Sequence, residues 1–208
     1  MKTKISNNQF NLNTKKMKNL KITTLALVAL LALSSCSKDD TPPLPVNEEE
    51  LITTVTAVFT PQGSGDTITL QYKDLDGEGL NPPDITQSEK FAQNKTYDVA
   101  VTFKNEAADP IENITPEIIT EGEDHQLFYE KTGTLNAFTY GTASGNFDVN
   151  SKPIGLQSVF TTIGAASGTL KITLKHLPNK SGADVADGDI TNAFGNTDVE
   201  VIFNIIVE

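Results

Sequence analysis

The chain has 208 residues, 16 basic and 27 acidic side chains, no arginine, no tryptophan and one cysteine. After that cysteine, Cys36, ten lysines stand against 27 acidic residues, a formal charge of −17. Such a surface excludes nucleic acid and anionic lipid as partners, because both need clustered basic charge, and it keeps a secreted chain soluble or attracts cations. With no tryptophan and four tyrosines, stacking platforms for sugars are disfavoured.

The first 35 residues read as a leader. Lys18 and Lys21 precede an apolar segment, Ile22 to Leu33, which ends in Leu33-Ser34-Ser35-Cys36. A positive start, a short apolar run and small residues at a cut make a secretory signal. The run is shorter than the ~20 apolar residues a spanning helix needs. Met17 gives a compact alternative start, with Met1 to Lys16 a polar extension. Residues 1–35 are therefore excluded from the fold, with cleavage expected before Cys36.

The segment Leu33 to Cys36 resembles the lipobox of a bacterial lipoprotein. That resemblance makes Cys36 a lipid attachment site, carrying palmitate or another acyl chain, rather than a redox group or metal ligand. Acyl chains contribute ~0.8 kcal/mol per buried methylene, so several chains anchor durably. Ser37-Lys38-Asp39-Asp40 resembles the acidic export signal of Bacteroidetes surface lipoproteins. It implies an outer-membrane protein facing the medium; the alternative is the periplasmic face of the same membrane. Residues 36–47 read as a tether, with the prolines of Thr41 to Val46 favouring extended geometry.

Residues 48–208 read as one domain. Leu51 to Thr60 is β-branched and alternating, Gly63 to Asp66 is a turn, and Thr67 to Lys73 pairs back as a hairpin. Thr96 to Lys104 alternates again. Thr115 as N-cap and Pro116 at the first position predict a short helix over Pro116 to Glu123. Gln126 to Glu130, Leu135 to Tyr140, Gln157 to Thr162, Thr169 to His176 and Val199 to Val207 complete about eight strands. Strands at this spacing without intervening helices predict an all-β chain: an antiparallel β-sandwich, immunoglobulin-like or related.

Two sets of residues carry cation chemistry. His125 follows Glu123 and Asp124, and His176 ends a strong strand. Neutral imidazole is the commonest metal ligand, and two histidines with those carboxylates suit zinc or copper if the two strand ends meet. The alternative is two unrelated polar residues. Asp74, Asp76 and Glu78, with Gly79 at the sixth position, resemble the start of a calcium loop. Ile85 stands where a calcium-binding glutamate is needed, and no helix flanks the loop, so solvated acids are the plainer reading. No serine elbow, phosphate loop or His-Glu-x-x-His pair is present, and no enzyme is expected.

Further stretches carry a longer resemblance: Glu48 to Thr54, Asp74 to Gly77, Asp124 to Gln126, Gly168 to Lys180 and Gly188 to Phe203. Together they resemble a family of small Bacteroidetes outer-membrane lipoproteins. Its members sometimes carry the label of a type 1 periplasmic-binding fold, which implies alternating strands and helices, whereas the residue pattern here is all-β. The resemblance implies a binding accessory for a metal ion or small nutrient beside an outer-membrane nutrient receptor. A structural or adhesive surface protein with no small ligand is the alternative.

Overall fold

The computed structural model describes residues 50–77 and 79–208. Ten strands and one short helix follow in order: β1 (Thr54–Pro61), β2 (Ile68–Lys73), β3 (Asp84–Gln87), β4 (Lys95–Asn105), β5 (Glu112–Asn113), α1 (Thr115–Thr120), β6 (His125–Lys131), β7 (Phe138–Tyr140), β8 (Gln157–Thr162), β9 (Ala166–His176) and β10 (Asn196–Val207). One sheet runs β3-β2-β1-β4-β8-β7, with β5 also paired to β4; the other runs β10-β9-β6. Every strand pair is antiparallel.

Period-two alternation explains the layering. In β4, Tyr97, Val99, Val101 and Phe103 are buried while Asp98, Ala100, Thr102 and Lys104 are exposed. In β10, Val201, Phe203, Ile205 and Val207 turn inward while Glu200, Ile202, Asn204 and Ile206 face out. The inward faces of both sheets belong to one core, with Phe59, Val99 and Phe160 from the larger sheet and Leu127, Ile172 and Phe203 from the smaller. This is the antiparallel β-sandwich that the alternation predicts. Phe59 anchors it: Phe91, Tyr97, Phe138 and Phe160 all stand edge-on to its ring at 4.9–6.4 Å. Truncating a buried ring of this kind costs ~3–5 kcal/mol.

The outer face of the smaller sheet is partly covered as well. Phe128 is fully buried beneath Val185 and Ala193, and Gln126 beside it donates to the Val185 carbonyl at 2.7 Å. The chain between β9 and β10 thus folds back over β6. The smaller sheet is buried on both faces near its His125–His176 end.

Three local expectations are revised. β3 and β5 are additional strands; they are short, largely exposed edges without a buried stripe, so they leave little alternation to read. The extended segment around Leu135 narrows to Phe138–Tyr140. The helix is shorter than Pro116 to Glu123, and Ile114 occupies the N-cap position. Thr115 does not cap because its hydroxyl serves β4 instead: Oγ1 accepts from the Phe103 amide at 2.8 Å and donates to the Phe103 carbonyl at 3.3 Å. Tertiary pairing here outweighs local capping preference.

Candidate metal centre

The two histidines meet. His125 opens β6, His176 closes β9, and the antiparallel register sets them directly opposite each other. Cross-strand neighbours on one face lie ~5 Å apart, and the rings sit 4.7 Å centroid to centroid, 30° from parallel. Both residues are buried, at 0% and 4% exposure. Two backbone ties fix this end of the ladder: the Leu177 amide donates to the Asp124 carbonyl at 2.7 Å, and the Asp124 amide to the Glu121 carbonyl at 2.9 Å.

Asp198 supplies a carboxylate. The β9–β10 register slips between Thr197 and Val199, so Asp198 is the extra residue of a β-bulge. A bulge breaks strict alternation and re-aims a side chain. Strict alternation with Glu200 and Ile202 would turn Asp198 to solvent; its side chain is instead fully buried. Oδ2 lies 3.7 Å from His125 Nε2, and Oδ1 lies 3.5 Å from His176 Nδ1.

Glu50 arrives from outside the strands, four residues before β1 begins. Its side chain is 10% exposed, and Oε1 is 3.9 Å from His125 Nε2. Ligand atoms of His125, His176 and Asp198 lie within 4.8 Å of one another, as do those of Glu50, Glu121 and His125.

The protonation of His125 follows from its partners. Nδ1 sits 3.1 Å from the Glu121 carbonyl oxygen. A carbonyl only accepts, so Nδ1 carries the proton. In the neutral ring the Nε2 lone pair is then an acceptor that faces two carboxylates. Nε2 is buried and makes no hydrogen bond, and the same holds for Glu50 Oε2. Acceptors facing acceptors in a dry site call for a cation between them, either a proton or a metal ion. Burial pushes the His125 pKa below its ordinary value, disfavouring the proton. Burial also raises the Glu50 carboxyl to about 7, helped by the negative charge of Glu117, Asp198, Glu121 and Glu112.

Donor spacing suits a small divalent ion. Ligand atoms ~2.0–2.1 Å from a tetrahedral zinc stand ~3.3 Å apart. The separations of 3.5 and 3.7 Å run from the two imidazoles to different oxygens of Asp198, that of 3.9 Å runs from His125 to Glu50, and each is wider than that edge. A histidine that ligates a metal is commonly oriented by such a bond from its other ring nitrogen to a backbone carbonyl, as His125 Nδ1 makes to Glu121.

Glu123 and Asp124 lie elsewhere than beside the histidines. Glu123 Oε1 accepts from Asn150 Nδ2 at 2.6 Å, and both side chains belong to exposed residues. Among the described residues neither joins a converging ligand group. The turn after α1 directs them to the surface, while the carboxylates that approach the histidines are Asp198 on β10, Glu50 ahead of β1 and Glu121 at the end of α1. In the acidic loop, Asp74 Oδ2 accepts from the Tyr72 hydroxyl at 3.2 Å. Asp76 Oδ2 accepts from Asn81 Nδ2 at 2.8 Å, and these bonds hold its pKa low. Oxygens of Asp74 and Asp76 are thus used within the loop, and Glu78 lies outside the described residues. A cleft of about 460 Å³ separates this loop from the β10 bulge and is lined by Ile52, Tyr72, Asp74, Asp76 and Glu200.

Cys36, the Ser37 to Asp40 segment, the leader and the tether to residue 47 also lie outside the described residues. Among the described residues no helix is long and apolar enough to cross a membrane. No protein-family model, no curated protein and no solved structure matches this chain.

Proposed function

We propose that this chain is a lipid-anchored outer-membrane protein whose sandwich binds a zinc-class divalent ion, zinc or copper(II), as an accessory to a nutrient receptor at the cell surface. One observation carries the metal reading: His125 Nε2 is buried, has no hydrogen-bond partner, and points its lone pair toward two carboxylates at 3.7 and 3.9 Å. Imidazole nitrogen with carboxylate oxygen is a donor set for zinc or copper(II), while calcium prefers oxygen alone. The acidic balance of the chain favours capture of cations over anions.

The anchored location rests on the Leu33 to Cys36 lipobox resemblance, and surface display on Ser37 to Asp40. A protein of this kind binds and presents its ion without performing chemistry on it. Calorimetric titration of the purified full-length chain with zinc, copper(II) and calcium tests the reading. Saturable binding of one zinc or copper(II) ion, with little heat from calcium, is the expected result. Absence of heat and of any melting shift with all three ions would leave a structural or adhesive role in its place.

A further inference from the structure

Three donors of the site belong to the smaller sheet: His125 on β6, His176 on β9 and Asp198 on β10. A zinc-class ion held by three protein donors keeps an open position, and one held by four is closed. Two further carboxylates, Glu50 and Glu121, converge on His125 in a second group that shares only that histidine with the first. Glu121 is exposed, and its carbonyl is already engaged by His125 Nδ1. Glu50 is nine-tenths buried with Oε1 facing His125 Nε2, and its Oε2 is buried without a hydrogen bond.

Position in the chain gives this donor a consequence. Glu50 stands fourteen residues after Cys36. The chain is tied into the larger sheet at Thr53, whose amide donates to the Lys104 carbonyl at 3.0 Å and whose hydroxyl accepts from the Glu106 amide at 2.8 Å. Glu50 lies three residues ahead of that tie. Between them Leu51 is 61% exposed, while Ile52 packs on the core.

We propose that Glu50 is the fourth donor, so that a bound zinc-class ion closes the site and pins the chain arriving from the membrane anchor onto the smaller sheet. The ion bridges two parts of the sandwich that the backbone joins separately: the chain ahead of β1, which leads into the larger sheet, and the β6-β9-β10 edge of the smaller one. Occupancy thereby fixes the chain at Glu50, three residues ahead of the Thr53 tie. This inference rests on the metal reading above and adds the identity of the fourth donor and its mechanical effect.

The test combines zinc affinity with hydrogen exchange of the Leu51 and Ile52 amides in the full-length chain, using zinc alone as probe. In the unaltered chain, zinc should slow exchange at these amides by about tenfold or more. Glu50→Gln should bind zinc about 10–100-fold more weakly and show no zinc-induced slowing there. Glu50→Asp keeps the charge but shortens the reach, and should lose the slowing too. Glu117→Gln removes a neighbouring charge without removing a donor, and should keep affinity within about twofold. Wild-type affinity in Glu50→Gln, no slowing in the unaltered chain despite binding, or equal weakening by Glu117→Gln would each overturn the fourth-donor assignment alone. No zinc uptake by the unaltered chain would overturn both this assignment and the metal reading.

Discussion

His125 and His176 face each other across the β6–β9 ladder, 51 residues apart in sequence and 4.7 Å apart in space. The register that joins them is fixed along the whole ladder by Leu127 opposite Leu174 and Tyr129 opposite Ile172. A slip of one residue would turn every one of these side chains to the other face. The core therefore holds the histidine pair in place.

Replacing either histidine should remove most of the metal affinity. Structural zinc binding releases ~10–16 kcal/mol over four ligands, so one lost donor is worth about 100-fold or more. His125→Ala and His176→Ala, titrated with zinc by calorimetry, should each show it. A variant that binds as the unaltered chain does would remove that histidine from the site.

Asp198→Asn tests the bulge. The substitution keeps size and burial and removes the charge, so zinc affinity should fall about tenfold or more. Far-ultraviolet circular dichroism should stay the same. Unchanged affinity would leave the Asp198 carboxylate a structural partner of the histidines.

Glu50 makes the metal-free protein pH-sensitive. Its pKa in the fold, about 7, stands above the ordinary 4.5. Between those values the native state keeps a proton that the unfolded chain has released. The contribution of Glu50 to stability is thus full below pH 4.5 and lost as pH rises through about 7. His125 has the opposite sign: its pKa is lowered, so its contribution is present above 6.5 and is lost as pH falls through the folded value. With a chelator present, Glu50→Gln should be more stable than the unaltered chain at alkaline pH, by about 1–2 kcal/mol after allowance for solvent screening. Below pH 4.5 that advantage should vanish. Urea unfolding at both extremes checks this, and parallel pH profiles for the two proteins would contradict it.

Gly195 guards the other side of His176. Its φ is +67°, and a Cβ there would lie 2.3 Å from the His176 carbonyl oxygen. Gly195→Ala should cost about 1–3 kcal/mol through backbone strain and this clash, and should weaken zinc binding by displacing the end of β9. An unchanged urea midpoint would show that the turn before β10 adapts freely.

Cys36→Ala should abolish labelling by radioactive palmitate. Alanine at Lys38, Asp39 and Asp40 together should protect the protein from protease added to intact cells. Labelling that persists would refute lipidation at Cys36, and undiminished cleavage would refute the export role of the three residues.

The fold was legible because its strands alternate. Val99, Val101 and Phe103 in β4, and Phe203, Ile205 and Val207 in β10, each announce a buried face at period two. β3 and β5 escaped because an exposed edge strand has no such stripe. The histidines were legible as residue types, and His176 as the end of an alternating strand. Their partners were not. Adjacency in sequence pointed to Glu123 and Asp124, but those acids occupy a surface turn. Asp198 reaches the site through a bulge, and a bulge is a one-residue departure that alternation alone conceals. Asp198-Val199 repeats the polar-then-apolar step of Glu200-Val201, so nothing in the local pattern marks the bulge. Glu50 sits in an acidic run, Glu48 to Glu50, that reads as solvated chain; its role depends on a contact more than seventy residues away.

The most direct test is X-ray absorption at the zinc edge on the full-length chain loaded with one equivalent of zinc. Four nitrogen and oxygen donors at ~2.0–2.1 Å, with the multiple-scattering signature of two imidazoles, are expected. That signature should fall to one imidazole in His176→Ala. A six-coordinate oxygen shell without imidazole would contradict the account and place the ion on surface carboxylates.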